Sequence, residues 1–317
     1  VADLAVGAAH AAADDAHPTG AGAARRPGPD PQRELITMTE PQILAAYDAT
    51  DEAADGLALA HLLAERLDRP LVVARVFTGG GAPEVTDRTR QLSIRESMQA
   101  TRRALLAAVP DAAGAELTPV VDASVARGLH ELARTEAAEA IVVGSSHRHG
   151  VGRVLLGGSP ELVVDGAPCP VVVAPAGFHE QPRLAPEVVA VAYDGTPAAD
   201  VALAHACELA RRLGMALRVI TVRPPWMERP AGVPHDVEAI QARAQELVAA
   251  TEGGAPELQL ALRAGHPATE IVAEARGSAG LLVVGSRRRG ALRRALLGSV
   301  STGVLRHAPV PVVVATT

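Results

Sequence analysis

The 317-residue chain contains no lysine and no asparagine, carries only two cysteines, and has an aromatic content of 2%. Without lysine there is no Walker phosphate-binding lysine, no pyridoxal Schiff base and no kinase lysine, which excludes the P-loop ATPases, pyridoxal enzymes and protein kinases. Without asparagine there is no N-glycosylation sequon. Cys169 and Cys207 can form neither a disulfide framework nor a multi-thiolate metal site, and a reducing cytoplasm suits that usage. One Trp, two Tyr and two Phe leave little for base stacking, and a net charge of −6 supplies no field that would draw nucleic acid. No run approaches the ~20 apolar residues of a membrane span, and Asp3, Asp14 and Asp15 stand where a signal peptide needs basic and apolar residues. The expectation is a cytoplasmic protein that binds neither nucleic acid nor membrane.

What the chain has is 48% apolar residues, mostly Ala, Val and Leu, enough for two ordinary cores at about 150 residues per domain. Residues 1–37 are Ala, Gly, Pro and charge without periodicity, a composition that predicts disorder. Met38 follows, and we expect it to be the native start. Beyond it the sequence repeats. The string 43–48 (Ile-Leu-Ala-Ala-Tyr-Asp) returns at 189–194 (Val-Ala-Val-Ala-Tyr-Asp), an offset of 146. The helical face Ala53, Leu57, Ala60, Ala64 and Leu67 returns at the same offset as Ala199, Leu203, Ala206, Ala210 and Leu213. Val142-Val143-Gly144-Ser145 returns as Val283-Val284-Gly285-Ser286, and Pro170-Val171-Val172-Val173 as Pro311-Val312-Val313-Val314, both at an offset of 141. Two similar domains are therefore expected at 38–176 and 187–317, joined by a linker from Pro175 to Pro186.

Within each copy, continuous Val/Ile/Leu runs such as 71–76, 141–143 and 171–173 alternate with amphipathic stretches. Uninterrupted apolar runs are the mark of parallel strands covered on both faces, so the fold class is α/β with open parallel sheets. Thr196-Pro197 supplies a cap and an N1 proline to a helix that Gly214 ends. The stretches 79–83 and 224–234 are Gly/Pro-rich and read as surface loops.

In such sheets ligands bind beyond the carboxyl ends of the strands, where strand order reverses. In the second copy those ends are Asp194-Gly195-Thr196, Val222 and Gly285. After Gly285 come five arginines (287, 288, 289, 293 and 294) and then Gly298-Ser299-Val300-Ser301, which opens a helix. A glycine and small hydroxyl residues at a helix start offer unpaired N–H groups to an anion, although the same residues also serve as an ordinary cap. His147 and His149 lack a third ligand nearby, which argues against a metal site. Cys169 and Cys207 read as small buried apolar groups. No nucleophile-base pairing, Gly-x-Ser-x-Gly elbow or His-Glu-x-x-His motif is present, so no enzymatic activity is expected.

The combination of Ala-Tyr-Asp-Gly-Thr at 192–196, Val-Val-Gly-Ser-Arg at 283–287, Leu-Leu-Gly-Ser-Val-Ser at 296–301 and a terminal Ala-Pro-Val-Pro-Val-Val-Val resembles the universal stress protein family over both copies. The resemblance implies two tandem five-stranded parallel sheets with helices on both faces. Each would be Rossmann-like, of the adenine-nucleotide alpha hydrolase type, and the copies would pack as a pseudo-dimer through their last strands, compatible with a further homodimer. It also implies ATP, with Mg, as ligand. Asp194 and Val222 would contact the adenine end, Gly285 would lie near ribose, Gly298, Ser299, Val300 and Ser301 would hold the phosphates, and Ala192, Val284 and Arg288 complete the set of binding residues. The family's motif of Gly, two residues, Gly, nine residues, Gly, Ser/Thr has Arg288 in place of its second glycine, and His147 in the first copy. An arginine there either blocks the phosphates or pairs with them. In the first copy Gly158 replaces the Ser, and Pro160 has no N–H to donate, so the second copy is the expected site. The family further implies a role in stress survival or dormancy through partner switching. The alternatives are an adaptor that binds no nucleotide and, far behind, an adenine-nucleotide enzyme.

Overall fold

Continuous apolar strands need cover on both faces, and the chain provides it twice. A computed structural model describes residues 40–78, 87–145, 160–224, 236–288 and 295–316. The expectations for residues 1–37, for the loop at 79–83 and for most of 224–234 fall outside these. In the first repeat the elements are β1 (Gln42–Ala46), α1 (Asp51–Leu67), β2 (Leu71–Phe77), α2 (Asp87–Ala108), β3 (Glu116–Val121), α3 (Val125–Thr135), β4 (Ala138–Gly144), α4 (Pro160–Val164) and β5 (Val171–Ala174). The second comprises β6 (Val188–Ala192), α5 (Pro197–Leu213), β7 (Ala216–Arg223), α6 (Val237–Ala249), β8 (Leu258–Ala264), α7 (Pro267–Ala275), β9 (Leu281–Gly285), a hairpin of β10 (Arg287–Arg288) and β11 (Ala295–Leu296), α8 (Ser299–His307) and β12 (Val312–Ala315).

The repeated helical face is buried in both copies, with only Leu213 half-exposed. The caps are as the residues dictate. Thr50 and Thr196 accept the N–H groups of Ala53 and Ala199, Pro197 stands at N1, and Gly214 closes α5 at φ 67°. Leu57 of α1, Leu105 of α2, Leu203 of α5 and Ile240 of α6 pack on one face of the sheet, and Leu129 of α3, Val163 of α4, Ile271 of α7 and Val304 of α8 pack on the other.

One expectation is corrected. The two five-stranded sheets are a single ten-stranded sheet of order β3-β2-β1-β4-β5-β12-β9-β6-β7-β8. Within this ten-stranded sheet every pairing inside a repeat is parallel, whereas β5 and β12 pair antiparallel, Val173 opposite Val312 and Val171 opposite Val314. The last strand of either repeat alone would present a bare edge of N–H and C=O groups beneath buried valines, and each edge satisfies the other. The strands of the two repeats therefore run in opposite directions, and their carboxyl ends emerge at opposite rims.

Charged contacts reinforce this union. Glu139 of β4 takes Arg69 Nε at 2.9 Å and also pairs with Arg212 of α5, in the other repeat. Burial pushes the Glu139 carboxyl up, but the Arg212 and Arg69 guanidiniums outweigh it and hold it below the usual glutamate value. The linker is packed rather than loose. A single 3₁₀ turn at Phe178–Glu180 buries Phe178, and the Asp55 carboxylate of α1 accepts from Gly177 N (3.0 Å), His179 N (2.9 Å) and His179 Nδ1 (2.6 Å). A carboxylate can only accept, so this ring nitrogen carries the proton.

Asp55→Ala would remove the acceptor that these three part-buried donors share and is expected to cost about 1–2 kcal/mol in urea unfolding. Because the Glu139 carboxyl is depressed in the folded state, its contribution is complete above the unfolded value of about 4.3 and is lost as pH falls through the lower folded one. Urea midpoints from pH 7 to 3 should thus fall less steeply below about pH 4.3 in Glu139→Gln than in the wild type.

Candidate functional site

In the second repeat strand order reverses between β6 and β9, which lie side by side with Val191 opposite Val283. Their carboxyl ends, together with β7 and the start of α8, define the crevice.

At the end of β6 the chain turns sharply. Asp194 Oδ1 accepts from Thr196 N (3.1 Å) and Thr196 Oγ1 (2.7 Å), and Gly195 adopts φ 76°. Asp194 itself is exposed. The first repeat builds the same turn from Asp48 and Thr50, with Ala49 forced to φ 68°, a conformation a Cβ disfavours. At the end of β9, a Cβ on Gly285 would lie 2.7 Å from the carbonyl oxygen of Ala198, so only glycine lets the first turn of α5 approach the strand this closely. Gly144 meets Glu52 of α1 in the same way. Val222 and Val284 are buried on the α7/α8 face and Ala192 is half-buried there, so they form the floor beneath the turn.

Helix α8 starts at Gly298, which has no side chain to cap it, and its first turn holds no acidic residue. By contrast, α1, α5, α6 and α7 each carry an acid in the first turn. Among the described residues no acceptor meets the N–H groups of Ser299, Val300 and Ser301; the carbonyl of Gly298 takes its bond from Thr302 (2.9 Å). Ser301 Oγ donates to Gly285 O at 2.8 Å, fastening the helix start to the end of β9. Free amides and the positive end of the helix dipole face the crevice, a setting that suits an anion. The backbone of Arg288 lies in the β10–β11 hairpin opposite Ala295. Arg289, Arg293 and Arg294 are outside the described residues, as are His147, His149 and Gly158.

The structure thus gathers Ala192, Asp194, Val284, Gly285, Gly298, Ser299, Val300 and Ser301 at one rim, with Val222 on the neighbouring strand and Arg288 in the hairpin that leads to α8. The first repeat offers less. In the corresponding helix, α4, the described residues include Pro160, which has no N–H to offer. The two cysteines are buried, and burial pushes the Cys169 thiol up to about 12. Two features escape the reading of the sequence. Ser286 is fully buried and donates Oγ to Ala315 O at 2.8 Å, and Tyr193 donates to Asp200, which also binds Arg243. Aligning the repeats shows Ala54 in the place of Asp200, a signal that could have flagged the second.

The universal stress protein family profile matches residues 41–175 and 187–316. A universal stress protein of Mycobacterium tuberculosis is 36% identical over 188 residues, covering 56% of this chain and 62% of that protein. Another, of Mycolicibacterium smegmatis, is 33% identical over 205 residues, 62% of this chain and 67% of that one. The match to the first of these spans less than two thirds of the relative's length. The crystal structure of a universal stress protein from Archaeoglobus fulgidus shares the fold, with 23% identity, a TM-score of 0.63, and coverage of 87% of this chain and 98% of that one.

Gly285→Ala is expected to cost about 1–3 kcal/mol in urea unfolding, because the new methyl must push α5 off β9.

Proposed function

The chain belongs to the universal stress protein family, and on that premise we propose that it is a non-enzymatic, cytoplasmic stress-response module whose second repeat binds ATP. The observation that carries this is the start of α8: among the described residues, three successive N–H groups meet no acceptor, and there is no side-chain cap and no acid in the first turn, at the strand-order reversal across from the exposed Asp194. Ser299, Val300 and Ser301 would hold the phosphates, Gly298 would let them approach, Gly285 would lie beside the ribose and Asp194 at the base; Mg would arrive with the phosphates. Binding would favour one arrangement of the loops over another, and the partner that prefers that arrangement gains or loses affinity accordingly.

One observation favours a second reading, an adaptor that works through protein contacts alone. Arg288 stands where the family motif has its second glycine, and its backbone is committed to the β10–β11 ladder.

Equilibrium dialysis with radiolabelled ATP, with and without Mg, separates the two. Saturable uptake of about one ATP per chain is expected, falling at least about tenfold in Gly298→Val, whose side chain would stand between the phosphates and the amides. An absence of saturable uptake by the wild type overturns the first reading and leaves the adaptor.

A further inference from the structure

Tyr193 immediately precedes Asp194. Its ring is buried, with 2% exposure, and its hydroxyl donates to Asp200 Oδ1 at 2.7 Å. Asp200 belongs to the first turn of α5, and Arg243 of α6 closes on the same carboxylate, Nη2 at 2.5 Å from Oδ2 and Nε at 3.3 Å from Oδ1. Three elements meet at this one group: the end of β6, the start of α5 and the middle of α6. Burial pushes the Tyr193 phenol up, and Asp200 adds to the rise. Burial also pushes the Asp200 carboxyl up, but Arg243 and Tyr193 outweigh it and hold it low. A protonated phenol thus faces an ionised carboxylate through the neutral range, which gives a charge-assisted bond.

The first repeat keeps the tyrosine, as Tyr47, and the Asp–Thr turn, but Ala54 occupies the place of Asp200. An alanine can receive neither a phenol nor a guanidinium. The two turns therefore share their local hydrogen bonds and differ in what anchors them.

We propose that Tyr193, Asp200 and Arg243 are positioning residues for the second repeat's ligand, pinning the turn at 194–196 so that Asp194 is already in place when the adenine end arrives. The inference rests on the nucleotide reading above. A turn held before binding spares the ligand the cost of ordering it, and this makes the second repeat the stronger binder. Arg243 is half-exposed, so its ion pair contributes little to overall stability, and its effect should be local.

The test uses the full chain as wild type, Tyr193→Phe, Arg243→Gln and Arg243→Lys. Hydrogen exchange of residues 193–200 is followed with residues 47–54 as internal reference, alongside ATP dialysis. Tyr193→Phe and Arg243→Gln are expected to speed exchange at 193–200 by about fivefold while 47–54 keeps its rate, and to weaken ATP binding by about three- to tenfold. Arg243→Lys keeps the charge and should restore most of both. Unchanged exchange at 193–200, an equal change at 47–54, or an unaltered ATP affinity in both variants overturns the proposal. A wild type that takes up no ATP overturns the nucleotide reading, and with it the ligand named here, while the exchange arm still reports whether the turn is pinned.

Discussion

Everything in this molecule is arranged around one pairing: β5 against β12, antiparallel, in a sheet whose other pairs are parallel. Each repeat ends on a strand of four buried residues, and neither could stand at an edge without exposing apolar side chains and unpaired backbone together. Joining the two edges removes both problems and makes the apolar layers above and below the sheet continuous across the repeats. It also reverses one half against the other, so the two carboxyl-end crevices open at opposite rims. They cannot share a ligand, and each must be judged by its own residues.

Judged in that way, the halves differ. In both, a glycine at the end of the central strand lets a helix start ride directly over it, a requirement of packing that holds with or without a ligand. What the second half adds, among the described residues, is a helix start without side-chain cap or acid and a turn anchored from three sides. The first half has spent the corresponding surface differently. Asp55 of α1 holds the linker, whereas the equivalent position in the second repeat is Val201. The two copies share one scaffold and differ in the side chains set on it: Asp55 against Val201, and Ala54 against Asp200.

Much of this could be read directly from the residues. Strands and helices, their caps and the helical faces follow from properties local to each stretch: runs of Val and Ile, a Thr before a helix, a Gly after it. The rim residues were equally legible, because Asp194, Gly285 and Gly298–Ser301 sit at the ends of elements whose order is fixed by the repeat. The anchoring of the turn was not legible, since no local pattern tells Arg243 that its partner is Asp200, 43 residues away. For the same reason nothing marked Ser286 as a donor to Ala315, 29 residues on.

By itself, then, the sequence determined that one α/β unit occurs twice and which residues stand at its strand ends, because each of these depends on neighbours along the chain. Only the tertiary structure decided that the two sheets are one, that their rims face apart, and that Glu139 and Asp55 lock the halves and the linker, with partners 73 and 122 residues away. Such contacts form only after long loops have closed, and the entropy of that closure is repaid by burial that no short window of sequence contains.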